Sequence, residues 1–167
     1  MLTIRTILVA VDFSDAAVDA VRYARELARS FDATLHLLHV VPDPLQQPWA
    51  VEAPGLDFPG LADQWRVDAM ARLEALQASS DLVAAQTVLE VGAGPPHKVI
   101  VDYSVDHAVD LIVLGSHGHG PVVHFLLGSV AERVVRQATC PVLIVPHHTL
   151  RKTRAGSGST RARTPAI

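Results

Sequence analysis

The stretch "DLIVLGSHGHGPVVHFLLGSVAERVVRQATCPVLIV", residues 110–145, decides the reading of the fold. It opens on a short apolar run, "DLIVLG", of strand length. A loop from Gly115 to Ser129 follows, with four glycines, three histidines and no lysine or arginine. "SVAERVVRQA" then reads as a helix, and Ser129 with Glu132 has the spacing of a capping box. "PVLIVP" from Pro141 is a last strand. Strand, glycine loop, helix and strand in succession make one turn of an α/β architecture.

The same alternation continues outward. "TILVAVD" from Thr6 is a β-branched apolar run and so a buried strand. Val18, Val21, Ala24, Leu27 and Ala28 then recur at helical spacing, and Ser14 and Asp15 offer an N-cap and an acidic first turn. "TLHLLHVV" from Thr34 is a second strand, on which His36 and His39 are expected to share one face as packed or pocket-edge residues. Residues 42–60 hold five prolines and are read as a long surface loop. Leu61, Trp65, Ala69, Leu73 and Leu76 mark a second helix, "AQTVLEV" a third strand, and "PPHKVIVDYSVDHAV" from Pro95 a third helix, with prolines tolerated in its first turn. The implied fold class is α/β: an open, five-stranded, mainly parallel sheet with helices on both faces, Rossmann-like. One domain over residues 1–148, with residues 42–60 as an insertion, and a disordered basic tail over 149–167 account for the chain.

Composition narrows the function. The chain has 167 residues, 49% hydrophobic and 19% charged, enough for one domain with a real core. No apolar run reaches the roughly 18 residues that span a bilayer, and "MLTIRTILVAVD" lacks a signal-peptide layout. The single cysteine, Cys140, makes no internal disulfide and reads as a buried small residue; a cytoplasmic protein is expected. The net charge is -3, but the segment after Leu150 carries five positive charges and no acid, which leaves -8 on the rest. An acidic body argues against nucleic-acid binding by the globular part.

In an open α/β sheet, ligands bind beyond the carboxyl ends of the strands. Two such ends are chemically prepared: Ala10-Val11-Asp12 after strand one and Gly115 after strand four. Glycines allow close backbone approach, and backbone N–H groups at a helix start hold phosphate without a cation. The missing lysine excludes the P-loop, not a phosphate site. His117, His119 and His124 are read as solvated or phosphate-facing rather than metal-binding, because the loop supplies no Cys, Asp or Glu. Trp49 and Trp65 flank the insertion and suit either a lid over the pocket or simple packing.

The spacing Gly115-x2-Gly118-x9-Gly128-Ser129 resembles the ATP-binding pattern of the universal stress protein family. "TILVAVDFSDAA", "LLHVV", "VDLIVLG" and "LLGSVAERVVRQATCPVLIV" resemble that family too, over roughly residues 3–146. The resemblance implies strand order 3-2-1-4-5 and a nucleotide site. It places Asp12 near the ribose and a phosphate-bound Mg2+ or Mn2+, Ala10 in the pocket wall, and Val40 where a strand-two backbone recognises adenine. Gly115, Gly118, Gly128, Ser129 and Val130 match its phosphate and ribose contacts. Histidines stand where many relatives carry arginine, lysine or small residues, so AMP or ADP should compete with ATP, or affinity should depend on pH. A dedicated ATPase needs a positioned base and a fixed cation, so at most slow hydrolysis is expected. The expected protein is a nucleotide-dependent sensor or switch in stress response. It would pair with itself through strand five, Pro141 to Pro146, and present a surface to an unidentified protein partner. The rivals are a nucleotide-free dimeric scaffold and a nucleotidyl-transfer enzyme. The latter needs a strand-one loop such as "SGGxDS", which "DFSDAA" is not.

Overall fold

Among the described residues, five strands and four helices alternate: β1 (Thr6–Ala10), α1 (Asp15–Phe31), β2 (Thr34–Val41), α2 (Phe58–Ala78), β3 (Thr87–Ala93), α3 (Pro96–Asp106), β4 (Leu111–Gly115), α4 (Ser129–Gln137) and β5 (Val142–Val145). The computed structural model describes residues 3–52, 55–79, 86–116 and 127–146. The strands form one sheet in the order β3-β2-β1-β4-β5, and every pairing is parallel. This is the order the family resemblance implies.

The middle of the sheet is the most apolar part of the sequence, as a parallel strand covered on both faces requires. Ile7, Leu8 and Val9 of β1 are all fully buried, and strand alternation sends them to opposite faces. Ile7, Val9, Leu35, Leu37 and Val113 join a core with α1 and with Leu73 of α2. Leu8, Leu38, Ile112 and Leu114 join a second core with Ile100 of α3 and with Ala131 and Val134 of α4.

Helix α1 presents Ala16, Ala17, Ala20, Val21, Ala24 and Ala28 to the sheet, a face of mostly small side chains that lets the helix axis come close. It starts at an N-cap, Ser14, whose hydroxyl accepts a bond from Ala17 N at 3.2 Å. It ends where Asp32 takes a left-handed conformation and its N–H donates to Ala28 O. Arg25, only 3% exposed, reaches from α1 to donate to the carbonyls of Leu76 and Gln77 at 3.2 and 3.4 Å. It thereby ties α1 to the last turn of α2.

The proline-rich segment departs from the expected irregular loop. It contains two short 3-10 turns, Pro44–Gln46 and Pro48–Glu52, and α2 already begins at Phe58. Prolines at 44, 48 and 59 stand in the first turns of these elements, where a fixed φ assists and a missing N–H costs nothing. Asp43 accepts from Leu45 N at 3.0 Å and Asp57 from Gly60 N at 3.0 Å, so the first turn and α2 each start at an acidic cap. Trp49 stacks on Phe58, centroids 6.2 Å apart, and meets Trp65 edge-on at 6.5 Å. The insertion is thus packed onto the start of α2. The tail lies outside the described residues, as do His117, His119, His124, His147 and His148.

Candidate functional site

The carboxyl ends of β1, β2 and β4 open on the same edge of the sheet, because all strands run parallel. At the end of β1 the backbone turns sharply. Val11 N still donates to Leu38 O at 2.8 Å, continuing the ladder for one residue. Phe13 then takes a φ of 62°, left-handed and costly for a residue with a Cβ. Within this turn one carboxylate oxygen of Asp12, Oδ1, accepts from Ser14 N at 3.0 Å and from Ser14 Oγ at 2.6 Å. Asp12 therefore holds the turn and, through Ser14, the start of α1.

Ala10, Val40 and Val130 come from β1, β2 and the first turn of α4. All three are partly buried against one core, that of Leu8, Leu38, Leu114 and Ala131. Leu127, just before α4, joins them there. Three of the sequence-derived site residues are thus gathered on the face that α3 and α4 cover.

The two ends of the glycine-bearing segment are closed against each other. Gly128 N donates to Ser116 O at 2.9 Å, and Ser116 N donates to Val145 O at 2.9 Å, which anchors this neck to β5. Gly118 lies outside the described residues. Gly128 is the N-cap of α4 and makes no side-chain cap bond, so Ser129 is the first helical residue. The capping box expected between Ser129 and Glu132 does not form: Ser129 stands one position too late, and Glu132 pairs with Arg136 at 2.9 Å. The N–H groups of Ser129 and Val130 open the helix, where no intrahelical acceptor exists and the helix dipole favours an anion.

Gly115 has a packing reason to be glycine. A Cβ there would stand 2.8 Å from the carbonyl carbon of Ala16 and 2.9 Å from its oxygen. Close approach of α1 to β4, seen from the other face of the sheet, accounts for this glycine.

His36 and His39 lie on opposite faces, which corrects the expected shared face: an interval of three residues inverts the side of a strand. His36 Nδ1 meets the Tyr103 hydroxyl at 2.8 Å, under α3, and His107 stacks on Tyr103 with centroids 3.8 Å apart. His39 instead donates from Nδ1 to Val11 O at 2.6 Å and packs on Phe13, centroids 4.6 Å apart. Above the Phe13 ring lies the Arg72 guanidinium of α2, 3.8 Å from the centroid. Burial holds His39 below the ordinary histidine pKa; its bond to the Val11 carbonyl opposes this, the Arg72 charge adds to it, and Asp12 opposes it. Neither Phe13 nor Arg72 was marked by sequence periodicity or motif.

Among the described residues, no group of three or more His, Cys, Asp or Glu gathers to hold a metal. The single carboxylate of Asp12 fits a Mg2+ that arrives on a nucleotide's phosphates, not an ion caged by protein alone.

An open parallel sheet in the order 3-2-1-4-5, with helices on both faces, defines an α/β protein of Rossmann-like architecture. The chain belongs to the universal stress protein family, whose model matches residues 3–146. A relative from Thermus aquaticus, the universal stress protein encoded in the QAH/OAS sulfhydrylase 3' region, is 34% identical over 144 residues, 84% of this chain and 98% of the relative. Universal stress protein UspA from Lactobacillus plantarum superposes with a TM-score of 0.72 at 31% identity, over 87% of this chain and 99% of that one. A universal stress protein solved in complex with cAMP has the same fold, with a TM-score of 0.61 at 24% identity, over 88% of this chain and all of that one. No helix among the described residues is long and apolar enough to cross a membrane.

Proposed function

We propose that this protein binds ATP, with Mg2+ or Mn2+ on its phosphates, and acts as a nucleotide-dependent sensor or switch in the cytoplasmic stress response. The observation that carries the reading is the gathering of Ala10, Val40 and Val130, from three separate elements, against one core beside the first turn of α4. A partly buried apolar wall suits a purine ring, and the N–H groups of Ser129 and Val130 suit phosphate. Asp12 supplies the carboxylate for a phosphate-bound metal. Gly118 and Gly128 flank the phosphates, and Gly115 keeps β4 close to α1. Hydrolysis is at most slow, since the sequence from Gly115 to Ser129 holds no lysine or arginine to stabilise a transferring phosphoryl group.

Calorimetry of the intact protein with ATP and Mg2+ tests the reading. Gly118→Val is expected to weaken ATP binding about tenfold or more while the melting temperature holds, because a β-branched side chain there obstructs approach of the backbone to phosphate. Unchanged affinity removes this site.

We also infer a homodimer paired through β5. This strand is at the sheet edge, and Val142, Leu143 and Ile144 are only partly buried in the single chain. An apolar edge is protected when a second copy covers it. The pairing would use the outer edge of β5, not the edge that bonds β4 and Ser116, so light scattering should give a dimer at micromolar concentration with or without ATP. A monomer in both conditions refutes the pairing. The acidic body offers nothing to nucleic acid, and the signalling partner is taken to be another protein.

A further inference from the structure

The turn after β1 is fixed far more firmly than a turn needs to be. Its strained residue, Phe13, carries a ring gripped from two sides. Arg72 of α2 lies over one face at 3.8 Å, and His39 of β2 packs against it at 4.6 Å. The two peptides before Asp12 are held as well: Val11 N donates to Leu38 O at 2.8 Å, and Val11 O accepts from His39 Nδ1 at 2.6 Å. The peptide after Phe13 is pinned by Asp12 itself, through Ser14 N. Asp12 and Phe13 thus lie between held peptides, and of the two residues it is Phe13 that carries the left-handed φ.

A left-handed φ in a residue with a Cβ costs about 1–2 kcal/mol and persists only where surrounding contacts impose it. Here those contacts are the cation over the ring and the imidazole beside it. If the ring let go, Phe13 would relax to negative φ, Ser14 N and Oγ would swing away from Asp12 Oδ1, and the carboxylate would lose the donors that orient it.

We propose that Phe13, clamped between Arg72 and His39, is a positioning residue that sets the direction of the Asp12 carboxylate toward its ligand. The inference rests on the nucleotide reading of Asp12 and adds residues that neither motif nor spacing marks. Phe13 touches no ligand in this scheme. Its ring faces α2, on the side of the sheet opposite Ala10, Val40 and Val130, and it acts through the backbone.

Phe13→Ala isolates the effect, because alanine keeps the Cβ that makes positive φ costly and only the ring is lost. Two quantities are read on the intact protein: hydrogen exchange of the Ser14 amide by NMR without nucleotide, and ATP–Mg2+ affinity by calorimetry. Loss of the ring contacts is expected to speed Ser14 exchange and to weaken ATP binding, each by about tenfold. Phe13→Tyr keeps the ring and should restore both. Should Phe13→Ala fail to fold, Arg72→Met, at an exposed position on α2, removes the cation alone; both readouts should then move the same way by about threefold.

Unchanged Ser14 exchange in a folded variant overturns the clamp. Faster exchange with unchanged ATP affinity makes the stack a structural prop and overturns its role in binding. Should the wild type take up no ATP, the nucleotide reading fails by itself, while the exchange measurement still decides whether Phe13 holds Asp12.

Discussion

Replacing Gly115 with alanine tests the close contact between α1 and β4. The new Cβ would stand 2.8 Å and 2.9 Å from the backbone carbon and oxygen of Ala16, and 3.1 Å from its Cβ. Ordinary contact begins near 3.4 Å, so helix and strand must separate by about 0.6 Å, in a core that transmits strain rather than absorbing it. Overpacking of this kind costs about 1–3 kcal/mol. For a chain of this size that is a fall of about 2–12 °C in melting temperature. Because two of the three close atoms are backbone, Ala16→Gly in the same chain removes only the 3.1 Å contact and should not restore stability. Thermal unfolding by circular dichroism, with urea denaturation alongside, reads both variants. A Gly115→Ala protein that melts within about 1 °C of wild type, less than the smallest expected fall, would refute the packing account of this glycine.

Ser14→Ala removes the N-cap of α1 and one of the bonds on Asp12; a loss of about 0.5–2 kcal/mol is expected in urea denaturation, and no loss would deny the cap its role. Stability should also fall on acidification. His39 is held below the ordinary value of 6.5 chiefly by burial, and His36 by burial and then by the charge of His107, with Glu90 opposing. In the window between those lowered values and 6.5 the unfolded chain binds more protons than the folded one, so stability rises with pH there and is lost as pH falls through it. Melting temperatures from pH 7.5 to 5 should show this slope. His39→Asn, which keeps a donor for the Val11 carbonyl but does not titrate, should flatten it; an unchanged slope would place the effect elsewhere.

The strands were legible because "TILVA", "LIVLG" and "VLIV" are short runs, mostly β-branched and leucine, apolar on both faces, too brief for a helix. Ser14 was legible as a cap because a hydroxyl three residues before a helical amide, Ala17 N, has a single obvious acceptor role. Ser129 was misleading for the same reason. Gly128 carries the extended backbone of the cap position, and no side-chain rule ranks a glycine against the serine beside it. The prolines of residues 42–60 were read as breakers although those at 44, 48 and 59 start turns and a helix; at 44 and 59 their role depended on the capping acids Asp43 and Asp57. The site was half legible. Ala10, Val40 and Val130 share a core because period-two alternation and the strand order place them there. Phe13 and Arg72 were not legible, since a left-handed φ in a non-glycine and a contact across 59 residues leave no local mark.

The position of β1 has a consequence for how the chain comes to be folded at all. β1 pairs with β2 nearby, but its other neighbour begins with Leu111, opposite Ile7 and 104 residues further on. The Asp110 carboxylate, which accepts from Arg5 N at 2.7 Å and Thr6 N at 3.0 Å, also arrives only then. At translation rates of about 5–20 residues per second, one edge of "TILVA" waits about 5–20 s for its partner. During that interval the newborn sheet β3-β2-β1 has an apolar strand at its rim, the geometry that recruits foreign strands. Pulse-labelled hydrogen exchange during refolding should therefore protect β2 and β3 before β4. Ribosome-associated chaperones should engage the chain most strongly before residue 113 has emerged.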